Sequence, residues 1–534
     1  MGRHVYVTTR DSCAFMQSNM ILGGLPPLHI RKSGWSWDNG RVLLACGVIS
    51  SLFMAICSKS SFLYPINDWG DANAYVTAAK MMINGRVLYS EIFEQKGLYL
   101  YLVHILTSLV SYPSFFGVYL MEVLTFAGFL FFAYKTGTLF VPGRLMLLVL
   151  PVLAYTVLTS TAFCHGDSAE ELLLPLLAYS LFSMLRWSKY SHSSTRSNSR
   201  TWIMQGIVTA VIFWTKYTIL GFHIGFCVAI AVIHLKEQDI KGLFNVIGWW
   251  MGGVVIGSIP AIAYFGITNT FMDMFEVYIK SNIFNYGGFS TNQFSLVVFL
   301  KRILSSIKWN FLMMLSAFFG FLGIALTSKI GENWKTKTVV WCVYIGVFTF
   351  SLGMPRFYAY YSLVIAVLSI LGFIILISTI DKLRSIHIKK WHAMLIVVAL
   401  LLFLLPTSYF TSGNTYLMTY SKEELPQFQF KRIISQDKET SLLTHMNLDN
   451  GFQNLCGIVP DYKYFIATNT AVPERIDAWT KMIENGQVDY LLSRDTRLED
   501  NYLHFPYELL ASSSYFFEGA VRDYRLYRLV KKIP

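Results

Sequence analysis

The stretch Asn67-Asp68-Trp69-Gly70-Asp71, which continues to Lys96-Gly97, is a polar and charged segment that directly follows the first strongly apolar run of the chain. Within it, residues 71–84 carry apolar side chains at helical spacing, and Gly85 follows them. This pattern predicts a short amphipathic helix along a membrane surface, with Asp71 at its start. The polar segment 58–96 is therefore predicted to be a loop between membrane helices.

The composition indicates a membrane protein. The 534 residues are 54% hydrophobic and 14% charged, whereas soluble domains carry roughly 25% charged residues. The net charge of +12 is spread over short loops, which is typical of membrane topology, so the sequence predicts a lipid bilayer partner and no nucleic-acid partner. The seven cysteines form no C-x-x-C pair, which argues against a zinc site or a disulfide framework.

The predicted fold class is a polytopic α-helical membrane protein of about 11 to 13 transmembrane helices with a small C-terminal extracytoplasmic α/β domain. The predicted domains are a cytoplasmic leader (1–40), a transmembrane module (41–410) with first outer loop 58–96, and the extracytoplasmic domain (411–534). Lys and Arg in the other short loops place those loops in the cytoplasm. The run 97–110 is too short to span, so a half-inserted or tilted helix is expected there.

In the C-terminal domain, apolar alternation predicts strands at 441–446, 464–467, 488–493 and 525–529 and a helix at 473–484.

Two aspartates of the first loop are candidates for a catalytic base, because a carboxylate can take a proton from an acceptor hydroxyl. Asp71 is the first choice, since the start of a helix would hold it in position. Asp68 is the second. The alternative is that either residue only caps the helix, a common role of aspartate.

Positive charges at the outer surface are candidates for binding a phosphate. Lys216 lies at an outer turn between two apolar runs, and Arg356 lies in a similar turn. For both, pairing with Asp167 or Glu170 is the alternative. Lys96, with Glu94 two residues before it, lies where the first loop re-enters the membrane, where an interfacial anchor is the alternative.

A second acidic loop contains Asp167 and Glu170, which with Asp71 could bind a divalent cation, Mg²⁺ or Mn²⁺. Ser168 and Glu171 also match a capping box at the start of the next helix. The aromatic residues 357–361, Tyr360 among them, fit an interfacial belt, or a platform that stacks on sugars.

The first loop resembles that of the GT-C superfamily of membrane glycosyltransferases. The elements that carry the resemblance are Asp71 with Tyr75 four residues on, Gly85-Arg-Val-Leu-Tyr89-Ser-Glu91, and Phe93-Glu94-Gln-Lys96-Gly97. The branch that it resembles contains the bacterial relatives of protein O-mannosyltransferases and of lipid A aminoarabinose transferase (glycosyltransferase family 39-like). The late element 356–361 is similar to one in these relatives, but Leu98 replaces their proline and Ala359 their histidine.

The resemblance implies an outward-facing active site, an inverting mechanism and a polyprenyl-phosphate-linked sugar donor. It places the base at Asp71 and a donor-phosphate or metal-site role at Glu94 and Lys96. It matches Asp167 and Glu170 more loosely.

The resulting hypothesis is a plasma (inner) membrane, multi-pass glycosyltransferase. It would transfer a hexosyl or pentosyl group to an envelope glycan, lipid or protein on the outer face, with no certain cofactor. The alternatives are a transporter or flippase of lipid-linked sugars, and an O-antigen polymerase or ligase type of enzyme. Inverted repeats and charges in mid-span would favour a transporter, and a large late outer loop rich in Arg and His would favour a polymerase or ligase.

Overall fold

The computed structural model describes residues 37–190, 199–285, 295–326, 333–354, 357–379, 390–437, 440–445, 448–468 and 472–530. The chain divides into two compact units, 1–42 and 43–534. In the first unit the described residues are the beginning of the first helix. The second unit contains both the other helices and the C-terminal sheet.

The first half of the chain is almost entirely helical. Its helices are α1 (Trp37–Cys57), α2 (Gly70–Ile83), α3 (Leu98–Val110), α4 (Phe116–Gly137), α5 (Gly143–Leu158), α6 (Ala169–Tyr190), α7 (Ser199–Lys216), α8 (Gly221–Lys236) and α9 (Ile240–Thr268). A 3₁₀ turn at Tyr217–Leu220 joins α7 to α8. The predicted first span and the predicted surface helix after it are both present, and α3 coincides with the short run 97–110.

The second half has shorter and more broken helices. They are α10 (Phe271–Met274), which continues into a π-helix (Phe275–Asn285), α11 (Leu296–Trp309), α12 (Phe311–Leu326), α13 (Trp334–Leu352), α14 (Ala366–Thr379), α15 (Lys390–Thr411), α16 (Pro426–Ile434), α17 (Phe452–Cys456) and α18 (Pro473–Glu484). A 3₁₀ segment, Ala359–Ile365, leads into α14. The axes of α11 and α12 meet at 116°.

The polytopic helical architecture is confirmed, but fewer helices qualify as spans by length and composition than the 11 to 13 expected. Within the described ranges, six helices are long and apolar enough to cross a membrane, or seven if the bent pair α11–α12 is one span. The continuous helical segment 199–236 counts once, although its two apolar runs, 202–214 and 217–234, predict one span each. Other apolar helices are short, such as the 13-residue α3, or carry several charges, such as α6 with Glu170 and Glu171 in its first turn.

The C-terminal region forms a four-stranded mixed sheet in the order β1-β2-β4-β3. Its strands are β1 (Leu442–Thr444), β2 (Tyr490–Arg494), β3 (Tyr507–Phe517) and β4 (Ala520–Leu529). β1 and β2 are parallel, and β4 pairs antiparallel with β2 and β3. Glu518 and Gly519, both with positive φ, close the β3–β4 hairpin, as expected of a two-residue type I′ turn.

Three of the four predicted strands and the predicted helix 473–484 are present. The strand predicted at 464–467 is wrong. Tyr464 packs there on Phe93 of the first loop, and its carbonyl accepts a hydrogen bond from the Trp479 indole at 2.6 Å. This peptide therefore bonds to a side chain instead of to a neighbouring strand. β3 was not predicted because Ser512, Ser513 and Ser514 interrupt its apolar pattern.

Candidate functional site

The first loop enters helix α2 without a side-chain cap. The helix begins at Gly70, and the preceding Trp69 makes no capping bond. Asn67 Oδ1 instead accepts the Trp69 backbone N–H at 3.0 Å. Neither Asp68 nor Asp71 therefore acts as the helix cap, so each carboxylate is held by other groups.

Asp68 is enclosed between the first loop and the C-terminal sheet. Lys59 Nζ donates to Asp68 Oδ1 at 2.6 Å, and both side chains are 0% exposed. The Tyr515 hydroxyl, from β3, donates to Asp68 Oδ2 at 3.2 Å. Asn450 donates its side-chain amide to the Asp68 carbonyl at 2.8 Å. With both carboxylate oxygens bonded and no exposed surface, Asp68 joins two parts of the fold.

Asp71 has a different environment. It is partly exposed, and the Tyr75 hydroxyl, one helical turn later, lies 3.5 Å from its Oδ2. Burial raises the pKa of Tyr75 well above its usual range, and the nearby Asp71 and Glu94 carboxylates raise it further. Asp71 is thus an accessible carboxylate among buried polar groups.

Glu94 and Lys96 are held rigidly at the end of the first loop. The Lys96 backbone N–H donates to Glu94 Oε2 at 3.1 Å, and the Lys96 carbonyl accepts from the Tyr89 hydroxyl at 2.6 Å. The Lys96 ammonium lies 5.8 Å from the centre of the Tyr75 ring. Burial raises the pKa of Glu94, and Lys96 opposes that shift.

Gly97 fixes the position of this segment against α7. Its N–H donates to the Thr215 carbonyl at 3.0 Å. A Cβ atom at Gly97 would lie 2.0 Å from the Trp214 carbonyl oxygen, so only glycine permits this approach. Because Trp214 and Thr215 precede Lys216, the contact brings Lys96 and Lys216 together.

Lys216 forms a buried ion pair with Glu170, with Nζ 2.5 Å from Oε1. Its ammonium also lies over the rings of Tyr361 and Tyr360, at 4.2 and 4.9 Å from their centres. The predicted alternative, pairing of Lys216 with Glu170, is thus present in the structure. Lys96 and Asp71 are further electrostatic neighbours of Lys216.

A cavity of about 250 Å³ lies beside the two lysines. The residues that line it come from the end of the first loop, the α7–α8 turn, the π-helix and the segment before α14: Gln95, Lys96, Lys216, Tyr217, Thr218, Tyr278, Asn282, Ile283, Met354 and Tyr361. Two cations at the wall of a mainly apolar cavity could hold the phosphate of a lipid whose chain is apolar.

Asp167 lies in a buried polar cluster below Tyr75. Its carboxylate oxygens lie 3.0 and 3.1 Å from His104 Nε2, and its backbone N–H donates to Glu122 Oε1 at 2.8 Å. Burial raises the pKa of Asp167, and His104 opposes that shift. His104 and Glu122 were not singled out from the sequence, although ionisable residues within apolar helices are a recognised signal of function.

The two loop carboxylates predicted to bind a divalent cation each have a basic partner in the structure. Asp167 faces His104, and Glu170 faces Lys216. Among the residues that the structure describes, no three His, Cys, Asp or Glu side chains come together as metal ligands. The capping-box prediction holds in part, because Ser168 Oγ accepts the Glu171 N–H at 3.1 Å.

The late aromatic element is close to this site. Tyr360 packs edge-on against Trp69 of the first loop, with ring centres 6.0 Å apart, and Asp71 and Tyr75 are among its electrostatic neighbours. Arg356, the other predicted phosphate ligand, lies outside the described residues. The structure therefore brings together Asp71, Tyr75, Glu94, Lys96, Lys216 and Tyr360, and it places Asp68 apart from them.

Solved structures of ArnT resemble this chain over most of its length. ArnT from Cupriavidus metallidurans bound to undecaprenyl phosphate matches with a TM-score of 0.58 and 13% identity, over 91% of this chain and 98% of that one. The apo state of the same protein matches with a TM-score of 0.55 and 12% identity, over 92% and 98%. No protein-family model and no curated protein sequence matches. At this identity the likeness shows the fold alone, so this chain has the fold of ArnT, in agreement with the predicted fold class.

Proposed function

We propose that this chain is a membrane glycosyltransferase that moves a sugar from a polyprenyl-phosphate-linked donor to a hydroxyl of an envelope glycan, lipid or protein. The observation that carries the proposal is the placement of an accessible carboxylate, Asp71, beside two buried lysines, Lys96 and Lys216. The likeness to a protein solved with undecaprenyl phosphate supports the class of donor.

In this proposal Asp71 is the general base. The acceptor hydroxyl oxygen attacks the anomeric carbon from the face opposite the phosphate, and its proton passes to Asp71. The bond between the anomeric carbon and the phosphate oxygen breaks, so the configuration inverts and the lipid phosphate leaves with an additional negative charge. A carboxylate held within reach of the acceptor hydroxyl can take this proton as the new bond forms.

Lys96 and Lys216 would stabilise the leaving phosphate. An ammonium group has three N–H donors, and Glu170 occupies one of those of Lys216. Charge-assisted hydrogen bonds to the phosphate strengthen as its charge grows in the transition state, which lowers the barrier. Tyr75 and Tyr360, which line the space between Asp71 and the lysines, would contact the sugar, and Glu94 would hold Lys96.

The pair of variants Asp71→Asn and Asp68→Asn tests the base. A strain without the gene is complemented with each variant, and its envelope glycans are analysed by mass spectrometry. We expect Asp71→Asn to fold normally and to lower product by about 10²- to 10⁴-fold. We expect Asp68→Asn to lower the heat stability of the protein more than it lowers the activity of the folded protein. If Asp71→Asn retains near wild-type product while a stable Asp68→Asn loses it, the assignment of the base is wrong.

An assay with purified protein distinguishes the transporter alternative. A transferase releases polyprenyl phosphate when purified protein is given donor and acceptor, whereas a transporter or flippase only moves the intact donor between leaflets. The polymerase or ligase alternative predicts glycan chains as the transferred group, which differ in mass from a single sugar.

We propose that the first loop and the C-terminal domain face outward, because the positive charges of the short loops assign those loops to the cytoplasm. Ser90, which is partly exposed in the first loop, reports this orientation. A Ser90→Cys variant should react with a membrane-impermeant maleimide in intact cells. If Ser90→Cys reacts only after the cells are permeabilised, the first loop and the proposed site face the cytoplasm instead.

A further inference from the structure

A second cavity, of about 260 Å³, lies between the first loop, helix α2, the α3–α4 turn and the C-terminal domain. It has no lining residue in common with the cavity beside Lys96 and Lys216. The residues that matter here are Ser60 and Phe62 of the first loop, Lys80 of α2, Phe116 at the start of α4, and Asn454 of α17. Nothing in the proposed transfer reaction uses this cavity.

Lys80 is a buried cation at the wall of this second cavity. The residue is only 4% exposed. The ammonium donates to Asn454 Oδ1 at 2.9 Å and lies 4.9 Å from the centre of the Tyr112 ring. Among the described residues no carboxylate forms an ion pair with it; Asp449 acts only at longer range.

An ammonium group buried in this way is costly unless a negative charge is near it. Burial lowers the pKa of Lys80 to about 8, and Asp449 opposes that shift. The amine is therefore still mostly protonated at pH 7. Asn454 Oδ1 and the Tyr112 ring each offer only partial negative charge and Asp449 acts at longer range, so no carboxylate of the described residues is in direct contact with the ammonium.

The rim of the cavity is apolar. Phe62 is 67% exposed and Phe116 is 44% exposed, and each packs against Tyr119 of α4 with ring centres 5.7 and 6.1 Å apart. α1 and α4 are both long and apolar enough to span a membrane. Aromatic side chains at the ends of such helices are typical of the membrane interface, so the cavity opens where lipid headgroups lie.

Helix α2 separates this cavity from Asp71. Lys80 follows Asp71 by nine residues, which at about 100° per residue places the two side chains on opposite sides of the helix. Asp71 and Tyr75 face the proposed catalytic site, whereas Val76 and Lys80 line the second cavity. One helix thus presents a carboxylate to one site and an ammonium to another.

We propose that this second cavity binds the phosphate headgroup of an anionic membrane lipid, with the Lys80 ammonium as its counterion and the exposed rings of Phe62 and Phe116 beside the acyl chains. Ser60 also lines the cavity, where its Oγ accepts a hydrogen bond from the Asn67 side-chain amide at 3.2 Å. This inference does not rest on the proposed transferase function, because the residues and the ligand phosphate are distinct from those of the donor site.

The test uses the full-length protein in detergent, with phosphatidylglycerol, phosphatidylcholine or inorganic phosphate as the probe and native mass spectrometry as the measurement. Every titration is also performed in a Lys216→Met background. This excludes the possibility that the lipid binds in the cavity beside Lys96 and Lys216. The variants are Lys80→Met, Lys80→Arg and, as a matched control for the loss of one positive charge, Lys422→Met in an exposed segment of the C-terminal domain.

We expect phosphatidylglycerol to bind more tightly than phosphatidylcholine, and Lys80→Met to weaken it by about 10- to 100-fold, the effect of losing a hydrogen bond between charged groups. Lys80→Arg and Lys422→Met should retain it. Equal binding by Lys80→Met and the unchanged protein would overturn the proposal. If inorganic phosphate binds with the same dependence on Lys80 and prevents binding of the lipid, the proposal that the ligand is a lipid headgroup is overturned.

Discussion

The ammonium of Lys59 lies 2.6 Å from Asp68 Oδ1, and neither side chain is exposed. Lys59 also donates to the Tyr416 hydroxyl at 3.1 Å, and Asp68 accepts from Tyr515. Tyr416 and Tyr515 belong to the part of the chain that follows the last membrane helix. The ion pair therefore connects the first loop to the C-terminal domain.

Loss of one partner of this ion pair should destabilise the protein strongly. Lys59→Met leaves the Asp68 carboxylate buried without its counterion, which costs about 3–5 kcal/mol. We expect a lower midpoint of heat inactivation, measured as the fraction that stays monodisperse in detergent after heating. The double variant Lys59→Met, Asp68→Leu should recover much of the loss. A single variant as stable as the unchanged protein would show that the pair does not join the two parts.

The ion pair between Lys216 and Glu170 can be tested by a double-mutant cycle. If Lys216 binds the leaving phosphate, Lys216→Met should lower kcat/KM by about 10²- to 10³-fold, and Glu170→Gln should cost less because the ammonium stays. The double variant should then be as poor as Lys216→Met. Recovery of activity in the double variant would instead show that Lys216 only neutralises Glu170.

Replacement of Gly97 by alanine should reduce activity because it moves Lys96 relative to Lys216. The backbone of Gly97, with φ −75° and ψ 155°, suits any residue, so the effect must come from the contact with the Trp214 carbonyl. A shift of about 1 Å between Lys96 and Lys216 would cost about 10²-fold in rate. Gly47→Ala is the control, because nothing lies within 4 Å of a Cβ there. Equal activity of both variants would contradict the prediction.

Binding of anionic lipid at the second cavity should depend on pH. Because the pKa of Lys80 is lowered to about 8, its charge is present at pH 7 and is lost as the pH rises through 8. The other charged groups around it are Asp449 and the Lys59–Asp68 pair, which carry no net positive charge to replace it. We expect phosphatidylglycerol to bind about tenfold more weakly at pH 9 than at pH 7. Lys80→Arg should remove this dependence, and an unchanged pH profile in Lys80→Arg would contradict the assignment.

The sequence predicts the architecture well where local pattern determines it. The apolar run before residue 57, the helix that starts near Asp71 and the helix from Pro473 are all decided by spacing along the chain, and all are present. The convergence of Asp71, Lys96 and Lys216 could also be expected, because the predicted topology places them on one side of the membrane. Their roles in catalysis stay predictions.

The contacts made across the fold could not be predicted in the same way. Nothing near Lys59 indicates that its partners are Asp68 and Tyr416, and nothing near Lys80 indicates Asn454. Glu122 and His104 bond to the loop around Asp167 from two different helices. Lys59 and Asp68 are 9 residues apart, and the other partners are separated by 45 to 374 residues, so only the tertiary structure selects them. Asp68 and Asp71, three positions apart in sequence, consequently have very different surroundings.

The contact between Asp68 and Tyr515 can form only late in synthesis. The two residues are 447 positions apart, and at about 5 to 20 residues per second the ribosome needs about 20 to 90 s to add that length. During this time the first loop has been synthesised, but strand β3 with Tyr515 has not. A nascent chain that stops before β3 therefore has all the residues of the proposed donor site but lacks the Asp68–Tyr515 contact, so we expect activity only after the C-terminal domain has folded.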